Sequence, residues 1–408
     1  MTTQSLAELD PARAVPAPTA LDKPSLGALM LAHIAVDMQT SSLAVLLPPL
    51  LAAFNLTYAS AAGIISANNL VIAVAQPLFG LLGDYRRARG LVFAGCALCG
   101  LAMTSVLFMP AYGLVIAAVI LSGLGSAAFH PEALSSVRAV SGGQTDTGSS
   151  IFFFGGNLGF ALGPLAAALL LERFGAPGAA GMLVPIFIGG LALTLRRRPL
   201  RQPAVKTTAA LAGGVRPRRR TTVAWVLYLL LFIAVRLTIT GGLVTFIPLY
   251  FSQAGYAQTE IAPLLTVFSI AGTLGTLFSG PAAERVGRRR LIAVVMLVAL
   301  GALGVFLRAT GLLQLAALAV AGAALSVPWT LSVIMVQDQL PSHVGLASGL
   351  TLGTAYGAMG LGVAALGQLA DVTGLGAILP TLSWLPLVVL GMGLFLPERQ
   401  PAPAANPA

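Results

Sequence analysis

Charge is scarce in this chain: only 9% of its 408 residues are Asp, Glu, Lys or Arg, against about 25% in an ordinary soluble domain. With 57% of the residues hydrophobic, a water-solvated globular surface is excluded. Histidine is scarcer still. His33, His130 and His343 are scattered, and no H-E-x-x-H run or clustered nucleophile and base occurs, which argues against an enzyme and against a metal centre. There is no phosphate-binding P-loop, so neither ATP nor another cofactor is expected, and an ion gradient is left as the energy source. The two cysteines, Cys96 and Cys99, share one apolar stretch with no neighbouring histidine or second pair; they read as small packing residues. The basic clusters have no interleaved aromatics, so nucleic acid is not expected as a partner.

Long apolar runs are what the chain has instead. Twelve stretches near 26–53, 59–83, 90–109, 112–138, 147–171, 177–195, 223–251, 259–283, 290–308, 312–338, 345–371 and 376–396 are each of a length to cross a bilayer as a helix. The expected class is an all-α membrane protein of twelve transmembrane helices in two pseudo-symmetric six-helix bundles. Nine of the 23 Lys and Arg fall between Arg196 and Arg220, four at 285–290 and three at 86–89. By the positive-inside rule these loops are cytoplasmic, as are both termini. The organisation expected is a disordered tail at 1–24, a bundle at 25–195, a basic linker at 196–222, a second bundle at 223–397 and a tail at 398–408. A bacterial inner membrane is the expected location, and a monomer the default state.

The halves repeat one another at an offset of 199 to 200. Gly80-x-x-x-Asp84 returns as Gly280-x-x-x-Glu284-Arg285, followed by Arg288. Gly163, with eight residues between it and Glu172, returns as Gly362 with eight before Asp371. Ala35-Val36-Asp37 returns as Ala234-Val235-Arg236. A duplicated membrane unit is the architecture of a secondary transporter, which carries a solute rather than reacting it. Glycine at the Gly80 and Gly280 turns permits close helix approach, and the acid that follows can cap a helix N-terminus or bind an arginine. Gly159-x-x-x-Gly163-Pro164 combines a close-packing pair with a helix-bending proline. All of these are expected to serve gating.

Asp37 lies about 16 Å into the first span at 1.5 Å per residue, a depth where carboxylates mark ion or solute paths. His33 stands one turn earlier on the same face, a proton-handling partner. Arg236 is the repeat counterpart of Asp37; the two are expected to pair across a central cavity, or Arg236 to hold an anionic solute. His130-Pro131-Glu132 puts two titratable groups at a bend in the fourth span, nearer the membrane interface than Asp37, for gating or solute contact. Phe129, Phe154, Asn157, Phe246 and Trp329 are cavity candidates by position.

With those residues in place, the chain resembles the major facilitator superfamily over essentially its whole length. The Gly80 and Gly280 turns are similar to the superfamily's repeated loop motif, and Gly159-x-x-x-Gly163-Pro164 to the motif of drug–proton antiporters. Gly123-Leu124-Gly125 through Phe129-His130-Pro131-Glu132-Ala133, His33-x-x-x-Asp37, and Thr245-Phe246-Ile247-Pro248-Leu249-Tyr250 resemble the fosmidomycin-resistance type of efflux protein. The first loop copy departs from the motif at Tyr85 and Ala88, and Val119 stands where the superfamily's span 4 arginine is usual. The resemblance implies a proton-driven exporter of a small anionic or amphiphilic compound, working by alternating access. Proton-coupled uptake of an organic anion or other small nutrient is the rival reading.

Overall fold

A computed structural model describes residues 20–56, 58–85, 89–196, 219–256 and 258–396. Most of the tails and linker expected from composition lies outside the described residues. The chain forms α1 (Lys23–Phe54), α2 (Tyr58–Tyr85), α3 (Arg89–Ser105), α4 (Tyr112–Val140), α5 (Thr145–Phe174), α6 (Leu183–Thr194), α7 (Arg219–Gln253), α8 (Gln258–Val286), α9 (Arg288–Phe306), α10 (Gly311–Gln339), α11 (Val344–Thr373) and α12 (Ile378–Gly393). Short 3₁₀ turns at Ala176–Met182 and Leu375–Ala377 lead into α6 and α12, and one at Val106–Phe108 extends α3. Counting those turns, all twelve helices are long and apolar enough to cross a membrane, where only helices or closed barrels satisfy every backbone group.

Local chemistry sets several helix ends. Asp22 caps α1 by accepting from the Ser25 N–H at 3.2 Å and its hydroxyl at 2.8 Å, and a proline sits in the first turn. Gly175 and Gly374, one per repeat, end α5 and α11 at φ +64° and +83°, a left-handed region that glycine enters without steric cost.

Helices α1–α6 pack together, as do α7–α12, giving two six-helix bundles. Leu29, Val36, Phe129, Leu134 and Phe152 fill one part of the first bundle, and Leu50, Ile64 and Met103 another. Leu229, Phe232, Met296, Phe306 and Leu318 fill the second bundle. The cysteines pack here too. Gly125 of α4 lies flat on the Cys99 backbone, and Ser122 donates to the Cys99 carbonyl at 3.1 Å.

The bundles meet mainly through α2 against α11 and α5 against α8. Contact is tight at the face where α1 begins and α12 ends, the termini face. A Cβ on Gly80 would run into the Gly345 carbonyl, and one on Gly280 into the Asp146 carbonyl, so neither position has room for any side chain. The acids one turn on cap helices of the opposite bundle. Asp84 accepts from the N–H groups of Gly345 and Leu346 at 2.9 and 2.8 Å. Glu284 accepts from the Thr147 N–H at 3.1 Å and hydroxyl at 2.8 Å. These contacts are repeat images of each other, and each sets a carboxylate on the positive end of a helix dipole.

A charged chain reinforces this face. Arg288 grips Asp146 (2.9 Å) and Asp338 (2.6 Å), and Asp338 also takes Arg138. Arg285, expected to share in gating, is exposed and lies outside the network. Gly159 and Gly163 likewise do not act between bundles. They bring α5 against the Ile34 and Met38 carbonyls of α1 within the first bundle, with Pro164 immediately after. Gly362 does the same for α11 against Thr238 of α7.

Candidate functional site

Between the bundles lies a hollow of about 510 Å³. Its polar and charged lining includes His33, Asp37, His130, Asn157, Arg236 and Tyr356. Two of the expected cavity residues, Asn157 and Trp329, are part of the wall. Three are not. Phe246 is packed in the core of the second bundle, Phe154 is absent from the lining, and Phe129 sits fully buried behind the histidines.

Asp37 is buried at mid-helix in α1, where it meets two imidazoles rather than a guanidinium. His33 Nε2 lies 3.2 Å from one carboxylate oxygen and His130 Nε2 3.1 Å from the other. The expected pairing with Arg236 is therefore not formed. His130 also sits at the depth of Asp37 and in contact with it, not nearer the interface. α4 carries its helix through Pro131 to Val140, and its His130 faces α1. Glu132 is buried just past that proline, outside the lining of the hollow.

Hydrogen bonding fixes how these rings stand. His33 Nδ1 is 2.8 Å from the Phe152 carbonyl, and His130 Nδ1 is 2.8 Å from the Ser126 carbonyl. A carbonyl only accepts, so each Nδ1 carries its hydrogen and each Nε2 is left to face Asp37. A bare Nε2 lone pair against a carboxylate oxygen is repulsive, whereas a proton between them makes a charge-assisted bond. The triad is thus arranged so that a hydrogen on either Nε2 bonds an Asp37 oxygen. Packing holds it rigid: His33 stacks on Phe152 at 3.9 Å between centroids and meets His130 edge-on at 5.0 Å.

Gly156 of α5 lets the triad form. A Cβ there would fall 2.6 Å from His33 Nε2 and 2.7 Å from an Asp37 oxygen. This glycine is one of 46 and is not among those singled out from the sequence. Three donors of metal-binding type also converge here, within 4.8 Å of one another, although the scattered histidines had argued against any such set.

Arg236 enters the hollow from α7 and is buried. Its Nε and Nη2 both donate to the Leu325 carbonyl of α10, at 2.8 and 2.6 Å. That grip steadies the fork and leaves the Nη1 hydrogens for an occupant. Gln76, with both amide atoms unbonded to protein, and the unbonded Thr240 hydroxyl line the same space. Asn157 donates across the bundle interface to Thr276 at 3.3 Å. Phe153 and Trp329 meet edge-on at 5.6 Å and give the hollow an apolar wall.

The comparisons with known proteins agree with this architecture. The family model of the Major Facilitator Superfamily matches residues 29–363 and again 253–408. The fosmidomycin resistance protein of Escherichia coli (strain K12) is 30% identical over 387 residues, covering 92% of this chain and 93% of that protein. The multidrug efflux pump Tap of Mycolicibacterium fortuitum is 27% identical over 361 residues, or 81% and 86% of the two chains. The fold is similar to FucP, a transporter solved in the outward conformation, with a TM-score of 0.71 over 90% of this chain and 97% of that one at 16% identity. A match of this extent, with two six-helix bundles around one central hollow, leaves a single conclusion: the chain belongs to the Major Facilitator Superfamily.

Proposed function

We propose that this protein exports a small anionic or amphiphilic compound in exchange for protons, by rocking its two bundles about the central hollow. The observation that carries this reading is that one hollow receives the His33–Asp37–His130 triad from the first bundle and the part-free Arg236 fork from the second. Two groups of opposite chemistry on opposite bundles couple a proton site to a solute site. The efflux names of the relatives support export.

With the termini face taken as cytoplasmic, the structure corresponds to a state closed inside. In that state solute leaves Arg236 and protons bridge the triad. Rocking then opens the other side, where protons leave and solute binds. Exchange requires competition, and the charges say what kind of solute competes. A deprotonated triad welcomes a hydrogen-bond donor or cationic group, which protons then displace. An anion touching only Arg236 would instead be favoured by a protonated triad and would travel with the protons. Exchange therefore requires that the anion held by Arg236 also present a hydrogen-bond donor to the triad; a solute without one gives the second reading, proton-coupled uptake.

Flux in proteoliposomes separates the two. Fosmidomycin, the compound named for the relative, is the first probe. Exchange predicts accumulation in vesicles with an acid lumen; co-transport predicts it when the outside is acid. Flux indifferent to the pH gradient in both arrangements removes proton coupling altogether.

A further inference from the structure

We infer that His33, Asp37 and His130 together form a binding site for one divalent transition-metal ion of the zinc or cobalt kind, reached from the central hollow. The inference goes beyond the exchange cycle and needs no transported solute. The ion is an exchangeable occupant of this place, not a resident cofactor.

Four observations carry it. First, the donors are of the right type. Two imidazole nitrogens and a carboxylate suit zinc, cobalt or nickel rather than magnesium or calcium, which take oxygen donors. Second, the spacing fits. The Nε2 atoms lie 3.2 and 3.1 Å from the two Asp37 oxygens, and ligands about 2.05 Å from a tetrahedral ion are about 3.3 Å apart. An ion therefore enters by a small readjustment of groups already gathered, with all three donors within 4.8 Å of one another.

Third, the outer contacts are those of a metal site. Each ring donates its Nδ1 hydrogen to a backbone carbonyl, Phe152 for His33 and Ser126 for His130, both at 2.8 Å. Such bonds fix the tautomer that leaves Nε2 as the ligand and set the ring's angle. Phe152 stacks on one ring, and Phe129 stands edge-on to the other at 5.4 Å. Fourth, all three residues line a hollow of about 510 Å³, so the fourth coordination position opens on space for water, the pattern of a site that exchanges its ligand.

The test uses full-length protein in detergent, purified without a polyhistidine tag and stripped of metal. Zinc binding is followed by titration calorimetry, and cobalt binding by its visible absorption. One ion per chain is expected, retained in His343→Ala, a histidine on the termini face, and in Cys96→Ala/Cys99→Ala. It is expected to be lost in His130→Ala and in Asp37→Ala. X-ray absorption on the zinc-loaded wild type gives a readout that requires no variant, with two imidazoles and one carboxylate in the first coordination sphere. Absence of binding, binding that survives His33→Ala/His130→Ala, or a sphere containing sulfur or lacking both imidazoles would overturn the inference. None of these outcomes bears on proton-driven flux, so the two readings fail separately.

Discussion

Removing the Asp84 carboxylate is expected to loosen the closed termini face by a calculable amount. Asp84 is half-buried and accepts two backbone N–H groups of the first turn of α11, at 2.9 and 2.8 Å. Truncating a helix cap costs about 0.5–2 kcal/mol. If the cap exists only while this face is closed, the ratio of open to closed bundles rises roughly 2- to 30-fold in Asp84→Ala. Glu284→Ala removes the repeat image of the contact, but that carboxylate is exposed, so water and salt screen it and its effect is smaller. Asp84→Asn, which keeps one acceptor oxygen, falls between wild type and Asp84→Ala. The assay is electron–electron double resonance between spin labels at Tyr85 and Arg290, exposed positions on opposite bundles at this face, with both native cysteines replaced. A longer distance should appear or grow in Asp84→Ala and grow further in the double variant. Identical distance distributions in all five proteins would refute the reasoning, because the caps would then not contribute to which face is closed.

Three further outcomes follow from the same geometry. Gly156→Ala forces a methyl group between His33 and Asp37; it should lower thermal stability by about 1–3 kcal/mol and abolish proton-driven flux. Gly190→Ala, where the added carbon meets nothing within 4 Å, is the matching control and should leave both unchanged or slightly improved. Arg236→Lys keeps the charge but not the planar fork that shares the Leu325 carbonyl; solute affinity should fall while the fold, judged by gel filtration, persists. In Asp37→Asn the imidazoles lose their counter-charge, and flux should continue down a solute gradient while no longer following a pH gradient. Full proton-driven transport by that variant would remove Asp37 from coupling.

The helices were legible because depth along a membrane helix is written in the sequence at 1.5 Å per residue. That depth placed Asp37 and Arg236 at mid-membrane, and the 200-residue repeat paired Asp84 with Glu284. The direction in which a residue faces was not legible. A helix apolar all round its circumference gives no amphipathic signal, so nothing distinguished Phe246, which turns into its own bundle, from Phe153, which turns to the hollow. The His130–Asp37 contact joins positions 93 apart on separate helices; no spacing rule reaches that far, and depth alone misplaced His130 towards the interface. Gln76, Thr240 and Tyr356 were missed for the same reason. One signal was available for Gly156: it lies three residues before Gly159, one helical turn along the same α5 strip that packs on α1.

Arg138 near the end of α4 and Gln337 near the end of α10 hold matching places in the two repeats, 199 residues apart, yet they touch each other at 3.3 Å. Two copies of one position meet only where the relating axis passes between them. Perfect copies would set arginine against arginine there, and like charges would push the bundles apart. Here one half carries the guanidinium and the other a neutral amide with the Asp338 carboxylate beside it, so the two halves are not interchangeable at this spot.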